Sequence, residues 1–236
     1  RLSTQEDSVF MTKSSSSRSR AASTLGALLA LVLLTSAHAD ITPDGGELHV
    51  NTFTADDQNA PDLARLPGGG FVVVWQSVDQ LGGVDYDVFG RRFDSTGAPL
   101  GAAFQVNSYT TDDQGAPRVS AADDGSFLVV WQSFGQAGGL DYDVYTRRFD
   151  TFGAAVGSDV LVNSYTTSDQ GFPSIAAAAN GSFVVVWQSF DQAGGFDYDI
   201  YGRRLTAAGA TTGAEFRVNA ATADDQQSPS VAAASN

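Results

Sequence analysis

The chain has 236 residues, and its composition limits what it can be before any motif is considered. It carries 27 acidic and 13 basic residues, a net charge of −14. So negative a surface repels nucleic acid and anionic membranes but is compatible with cations or neutral sugars as partners. The absence of cysteine excludes disulfide bonds and thiol chemistry. Only His49 follows the first 39 residues, which excludes a multi-histidine zinc site and a histidine-based catalytic triad.

The first 39 positions have the composition of an export signal. Met11 is followed by three basic residues in a serine-rich stretch, by the apolar run 25–34 and by the small-residue pattern Ala37-His38-Ala39. This order is typical of a secretory signal peptide, and the apolar run is about half of the roughly 20 residues that span a bilayer. We therefore expect a secreted or cell-surface protein with no membrane span in its mature part. The predicted segments are upstream, non-native sequence over 1–10, a helical signal peptide over 11–39 and a linker over 40–46.

The remaining sequence repeats with a period of 56 residues and no insertion or deletion. The pair Val50-Asn51 returns three times, and the triplets Trp75-Gln76-Ser77 and Asp85-Tyr86-Asp87 each return twice. A constant period indicates a repeat architecture, in which each unit buries its apolar faces against its neighbours. The predicted units are 47–102, 103–158 and 159–214, followed by a fourth unit, 215–236, that stops before its tryptophan segment and is expected to be truncated.

Each unit is predicted to contain four short strands, and the unit 103–158 shows the pattern. Asp124-Gly125 predicts a tight hairpin, because these residue types tolerate a positive φ. The strand after the hairpin is apolar on both faces and must therefore be covered on both sides. A glycine-containing loop then leads to the last strand of the unit. The four predicted strands contain residues 104–107, 118–122, 127–131 and 143–149.

Four antiparallel strands per unit, without helical periodicity, predict an all-β fold in which each unit is one blade of a β-propeller. The chain would then form an incomplete propeller of about three and a half repeats. A string of β-sandwich domains would need about 100 residues per unit, and a β-solenoid coil usually needs far fewer than 56. Burial of each repeated tryptophan between neighbouring blades would contribute about 4–6 kcal/mol as an upper bound.

Three elements of the repeat carry a family resemblance. They are Val-Val-Val-Trp-Gln-Ser at 72–77, Asp-Tyr-Asp-Val-Tyr-Thr-Arg-Arg-Phe-Asp at 141–150, and the recurring Val-Asn pair. Together they resemble the β-propeller-like tandem repeats of large secreted and surface proteins of bacteria. The resemblance covers nearly all of residues 47–236 and implies an extracellular, non-enzymatic β-repeat region. It assigns no catalytic residue.

The best candidates for chemistry are two aspartates in the glycine-containing loop of each unit. Two carboxylates two positions apart could offer oxygen ligands to Ca²⁺, which takes about six to eight of them. The favoured alternative is structural: each pair would bond to the arginine doublet that follows it, at 91–92, 147–148 or 203–204. No cofactor other than calcium is considered. The candidate calcium ligands are Asp85, Asp87, Asp141, Asp143, Asp197 and Asp199.

Two further groups of residues recur in the loops. Asp56-Asp57-Gln58 returns at 112–114 and 224–226, and with serine first at 168–170. Its aspartates are predicted to cap turns by accepting backbone amides, with cation or ligand contact as the alternative. A set of aromatic residues beside polar loops favours ordinary packing over stacking against sugar rings. These aromatics are Tyr86, Tyr142, Tyr198, Phe53, Tyr109 and Tyr165.

The repetition itself argues against catalysis. Glycoside hydrolysis needs two carboxylates with unlike pKa values, and a catalytic centre uses one special copy, whereas these acids are the same in every unit. The sequence therefore predicts that the protein is not an enzyme but an exported, non-catalytic module for binding or scaffolding, through adhesion or recognition of carbohydrate or protein, within a larger secreted or surface protein. Its partners would be neighbouring repeats and extracellular carbohydrate or protein. The alternatives are an accessory domain of a secreted hydrolase and a calcium-stiffened spacer.

Overall fold

A computed structural model describes residues 46–233 of the chain. Within this range the chain forms twelve β-strands in three antiparallel sheets of four, and one 3₁₀ turn, Pro67–Gly69, without any α-helix. The predictions for residues 1–10, for the signal peptide and for nearly all of the linker lie outside the described residues. The strands are β1 Gln58–Arg65, β2 Phe71–Val78, β3 Tyr86–Phe93 and β4 Phe104–Gln105; β5 Gln114–Ala121, β6 Phe127–Phe134, β7 Tyr142–Phe149 and β8 Ala155–Leu161; β9 Gln170–Ala177, β10 Phe183–Phe190, β11 Tyr198–Leu205 and β12 Thr211–Arg217.

In every sheet the four strands lie side by side in chain order, so each connection within a sheet is a hairpin. The predicted turn between β5 and β6 is present: Gly125 has a φ of 87°, and Asp124 Oδ1 accepts the Ser126 amide at 2.8 Å. In the third sheet Asn180 and Gly181 form the same turn, with Asn180 Oδ1 accepting the Ser182 amide at 3.0 Å. The hairpin signals in the sequence therefore correspond to real turns.

The sheets stack face to face, and the first strands β1, β5 and β9 contact one another in succession. Two apolar clusters fill the spaces between the sheets. The cluster between the first and second sheets contains Leu66, Val72, Val74, Val88, Val106, Val119, Phe127, Val129, Trp131, Tyr145 and Phe149. The cluster between the second and third sheets contains Leu128, Val130, Val144, Val162, Ile175, Phe183, Val185, Trp187 and Leu205.

The central strands of the sheets are buried on both faces, as predicted. In β6, Val129 and Trp131 belong to the cluster facing the first sheet, whereas Leu128 and Val130 belong to the cluster facing the third. The tryptophans Trp131 and Trp187 are fully buried and Trp75 nearly so. Stacked four-stranded sheets with shared apolar walls are the arrangement of β-propeller blades.

The sheets are offset from the repeat units drawn in the sequence. Phe104–Gln105 was grouped with the strands that follow it, but it pairs with β3 of the preceding sheet, with Phe104 opposite Gly90. The grouping of this strand is therefore wrong, although the first strands β1, β5 and β9 do begin 56 residues apart. A tandem period fixes the spacing of equivalent residues but not the point at which one sheet ends and the next begins.

No helix in the described part of the chain is long and apolar enough to cross a membrane.

Candidate functional site: an acidic rim

The loops that carry the repeated aspartates all lie at one edge of the sheets. Gln114, at the start of β5, is opposite Ser133 near the end of β6, and Phe134 is opposite Tyr142 at the start of β7. The loop between two sheets and the loop between the second and third strands therefore meet at the same edge. We call this edge the acidic rim and define it by its carboxylates. They are Asp56, Asp57, Asp79, Asp85, Asp112, Asp113, Asp141, Asp169, Asp191, Asp197, Asp224 and Asp225.

No cationic side chain interrupts the acidic rim within its loop segments. The segments are 51–57, 107–113, 163–169 and 219–225 between sheets, and 79–85, 135–141 and 191–197 within them, and none contains lysine, arginine or histidine. The carboxylates of successive sheets therefore add to one negative field at this edge.

The two aspartates of each predicted calcium pair lie in different environments. The first, at Asp85, Asp141 or Asp197, is partly exposed at the rim. The second, at Asp87, Asp143 or Asp199, is buried just inside the third strand of its sheet. Only the first of each pair is therefore placed to meet a molecule from solvent.

Each buried aspartate is bonded to an asparagine from the end of the same sheet. Asn163 Nδ2 donates to Asp143 Oδ1 at 2.5 Å and to the carbonyl of Tyr165 at 2.9 Å. Asn163 Oδ1 in turn accepts the Val144 amide at 2.7 Å. The pairs Asn107–Asp87 and Asn219–Asp199 repeat this arrangement. The recurring Val-Asn pair in the sequence is therefore the anchor that closes each sheet beside its buried carboxylate.

The favoured prediction that these aspartates pair with the arginine doublets is wrong. Arg147 lies four residues beyond Asp143 on one strand, and at about 3.3 Å per residue the two lie roughly 13 Å apart along it. Arg147 instead donates to the carbonyls of Gly157 and Val106, at 3.1 and 2.9 Å, and lies 3.8 Å from Asp159. The bond to Val106 joins two successive sheets, which gives the first arginine of the doublet a structural role of a different kind.

Burial raises the pKa of Asp143 from its usual 3.8 to about 6, and the hydrogen bond from Asn163 opposes this rise only in part. The negative charges of Asp141 and Asp169 raise the pKa further. The pKa of Asp87 is also raised, chiefly by burial. Asp143 Oδ2 is buried without a hydrogen-bond partner, so the ionised form receives little compensation for lost hydration.

Calcium binding at the six predicted aspartates stays a prediction. Among residues 46–233 no group of three or more aspartate, glutamate or histidine side chains converges as a metal site would require. One oxygen of Asp143 is already engaged by Asn163. A calcium ion at the rim would therefore have to draw on Asp85, Asp141 or Asp197 together with backbone carbonyls.

The aspartates of the Asp-Gln loops do accept backbone amides, but not those of their own turn. Asp113 Oδ1 accepts the amide of Tyr86, at 3.0 Å, and Asp169 Oδ1 accepts that of Tyr142, at 3.1 Å. Each of these bonds joins one sheet to the loop that leads into the next. The predicted turn cap is thus a latch between neighbouring sheets, which a single unit of sequence could not reveal.

The glutamines of the repeat are functional parts of the fold that the sequence reasoning missed. Gln132 Oε1 accepts the amide of Phe172 in the next sheet at 3.0 Å, and Phe172 has a positive φ of 49°. A Cβ atom at Gly171 would lie 2.7 Å from the same oxygen, which explains the glycine. Gln114 Oε1 accepts the indole N–H of Trp131 at 3.2 Å. The signal was their recurrence in every unit beside the tryptophan or the Asp-Asp loop.

The aromatic residues of the rim pack against other rings, and exposed apolar residues lie at the loop tips. The rings of Phe134 and Tyr142 are 5.2 Å apart, and those of Phe190 and Tyr198 are 5.0 Å apart. This geometry agrees with the favoured interpretation of packing. Beyond these rings, one residue of each tip points into solvent: Val84, Leu140 and Phe196.

Comparisons with known proteins place this geometry in a fold. No protein-family model and no curated protein matches the chain. Among solved structures, the Hadza microbial sialidase Hz136 has 12% identity and a TM-score of 0.50, over 65% of this chain and 36% of the sialidase. The GH43 endo-arabinanase from Bacillus licheniformis has 18% identity and a TM-score of 0.44, over 67% of this chain and 58% of the enzyme. The α-L-arabinanase from Penicillium chrysogenum, solved with arabinobiose, has 15% identity and a TM-score of 0.44, over 67% and 49%.

These likenesses confirm the predicted all-β, β-propeller fold. The chain spans between about a third and three fifths of the length of these structures. They also overturn two predictions, because the similar proteins are by their titles carbohydrate-cleaving enzymes. The prediction of a non-catalytic binding or scaffolding module is wrong, and so is the prediction that the protein is not an enzyme. The chain has the fold of a β-propeller.

Proposed function

We propose that this chain supplies consecutive blades of a carbohydrate-processing β-propeller and that the acidic rim is the face that meets the sugar. The observation that carries the proposal is the rim itself, where carboxylates from three successive sheets lie at one edge without any cation in the same loops. The titles of the similar structures name a sialidase and arabinanases, and these support the choice of a sugar substrate.

The chemistry of glycoside cleavage suits such a rim. The transition state has oxocarbenium-ion character, so positive charge develops on the sugar ring, and carboxylates stabilise it and serve as acid, base or nucleophile. The partly exposed Asp85, Asp141 and Asp197 are the candidates for contact with the sugar. The exposed ring of Phe196 offers an apolar surface beside Asp197.

The buried aspartates have a different part in this proposal. Asp143 is fully buried and bonded to Asn163, so a sugar cannot reach it. It instead fixes the first turn of β7, and with it the position of Asp141 two residues earlier. Asp143 is therefore a positioning residue, and the partly exposed aspartates are the ones whose loss should affect sugar binding directly.

The experiment measures binding of arabinan, sialylated and β-mannoside oligosaccharides by ligand-observed NMR, together with release of reducing ends. The test variant combines Asp85→Asn, Asp141→Asn and Asp197→Asn at the rim. The matched control combines Asp94→Asn and Asp150→Asn, which lie in the turns at the opposite edge, where their Oδ1 atoms accept backbone amides. We expect at least one oligosaccharide class to bind, the rim variant to lose about tenfold or more in affinity, and the control to bind normally. Absence of binding across the panel, or equal binding by both variants, would contradict the proposal.

A further inference from the structure

The first sheet has an apolar face that the other two sheets cover. Phe71, Val73, Trp75, Phe89 and Phe93 occupy the same repeat positions as Phe127, Val129, Trp131, Tyr145 and Phe149 of the second sheet. In the second sheet those residues pack against Val72, Val74 and Val88 of the sheet before it. In the first sheet their equivalents form a separate small cluster, whose additional contacts come from Val50 and Ala103. We call this surface the leading face.

Exposure of the first strand shows how much of the leading face is uncovered. Leu63 on β1 is 54% exposed, whereas Val119 and Ile175, at the equivalent positions of β5 and β9, are 6% and 8% exposed. Pro61 is likewise exposed, whereas Pro117 is buried. An isolated exposed leucine is unremarkable in a soluble protein. A whole column of positions that is buried in two sheets and open in the third indicates a missing neighbour.

The hydrogen bonds of the leading face are altered in the same place. Trp131 Nε1 donates to Gln114 Oε1 at 3.2 Å, and Trp187 makes the same bond to Gln170. Trp75 Nε1 is buried without a partner, because its glutamine accepts from Asn51 instead. A cavity of about 280 Å³ lies here, lined by Leu48, Val50, Asn51, Gln58 and Trp75 among others.

The segment Leu48–Asn51 shows what kind of neighbour is missing. It matches Phe104–Asn107, which is the outer strand of the first sheet and its anchor. Arg91 donates to the Val50 carbonyl at 3.0 Å as Arg147 donates to that of Val106 at 2.9 Å, so the segment already lies where an outer strand lies. Val106 and Asn107 also bond Val88 of the strand beside them, at 2.8 Å each. Val50 and Asn51 have no such strand among the described residues.

We propose that the leading face binds a further sheet of this repeat type and that residues 48–51 are its outer strand. The partner is identified by its chemistry: three strands with an Asp-Tyr-Asp-Val sequence in the third, whose outer edge is open to pair with Val50 and Asn51. A second copy of the described sheets does not fit. The outer edge of its third sheet is already occupied, because Val218 donates to Ile200 at 2.7 Å and Ile200 donates to Asn219 Oδ1 at 2.8 Å.

The test uses the absence of native cysteine. Leu63→Cys introduces a single thiol on the leading face, and Val119→Cys introduces the matched control at the equivalent buried position. In the present chain we expect a maleimide reagent to label Leu63→Cys about a hundredfold faster than Val119→Cys, because buried positions react only through opening of the structure.

The partner sheet is then supplied by duplicating residues 57–102 immediately before Glu47, so that residues 48–51 follow it as its outer strand. We expect labelling of Leu63→Cys in this extended chain to slow to the rate of Val119→Cys. A flexible Gly-Ser insertion of equal length is the control and should leave Leu63→Cys fast. Fast labelling in the extended chain, with Val119→Cys still protected, would overturn the proposal. So would protection of Leu63→Cys in the original chain that depends on protein concentration, since a second copy would then cover the face. Neither outcome depends on sugar binding.

Discussion

Acidification should stabilise this protein, because its buried aspartates are poorly compensated when ionised. The pKa of Asp143 is about 6 in the folded chain and 3.8 as the ordinary value. At about 1.4 kcal/mol per pKa unit, the folded state gains about 3 kcal/mol from protonation relative to the unfolded state. The folded chain binds this proton more tightly, so the free energy of unfolding falls as the pH rises from about 4 through about 6.

The assay is urea unfolding followed by tryptophan fluorescence at about pH 4.5 and about pH 7.5. We expect the free energy of unfolding to be higher at the lower pH, by about 2–3 kcal/mol. Asp143→Asn keeps the shape of the side chain and removes the charge, so it should abolish most of this pH dependence. Asp94→Asn is the control, because the pKa of Asp94 is lowered by bonds from Thr96 and its contribution is lost only at more acidic pH. Equal or lower stability at pH 4.5, or an unchanged pH dependence in Asp143→Asn, would refute the reasoning.

Three further changes test the account. Trp131→Ala should lower the free energy of unfolding by about 3–5 kcal/mol, because a fully buried indole leaves a cavity between two sheets; a loss below about 1 kcal/mol in urea unfolding would contradict that burial. Asn163→Ala removes the partners of Asp143 and of the Val144 amide and should cost about 3 kcal/mol by the same measurement, whereas an unchanged midpoint would show that the anchor is dispensable. The calcium prediction requires EDTA to lower Tm in calorimetry, and a Tm unaffected by EDTA excludes a stabilising ion.

The fold was predictable from the sequence because one physical requirement shapes every unit. A strand such as 127–131, apolar at consecutive positions, needs cover on both faces, and its return at a constant period supplies that cover from the neighbouring sheets. The position of the sheet boundary was not predictable in this way. Phe104 could pair forwards or backwards along the chain, and only the backbone bonds decide that it joins β3.

The candidate site was predictable in location but not in its bonds. The sequence singled out Asp143 and the loop before it, and both lie at or beside the acidic rim. It assigned Asp143 to an arginine because the charges are opposite and close in sequence, whereas strand geometry carries Arg147 away and brings in Asn163 from the end of the sheet. Enzymatic function was rejected because the acids repeat. That argument fails since equivalent acids in successive blades do not exclude an asymmetric centre in a propeller that this chain only partly spans.

The claim that the sheets stack in chain order can be tested at a single amide. Phe172 is an exposed residue whose amide donates to Gln132 Oε1 of the preceding sheet at 3.0 Å, and Ala116 donates to Gln76 Oε1 at 2.7 Å. Hydrogen exchange measured by NMR on Gln132→Ala should show the Phe172 amide exchanging about tenfold faster or more, while the Ala116 amide keeps its protection. Unchanged exchange at Phe172 would mean that the second sheet does not contact the third as described, and the account of shared walls and a common rim would fail with it.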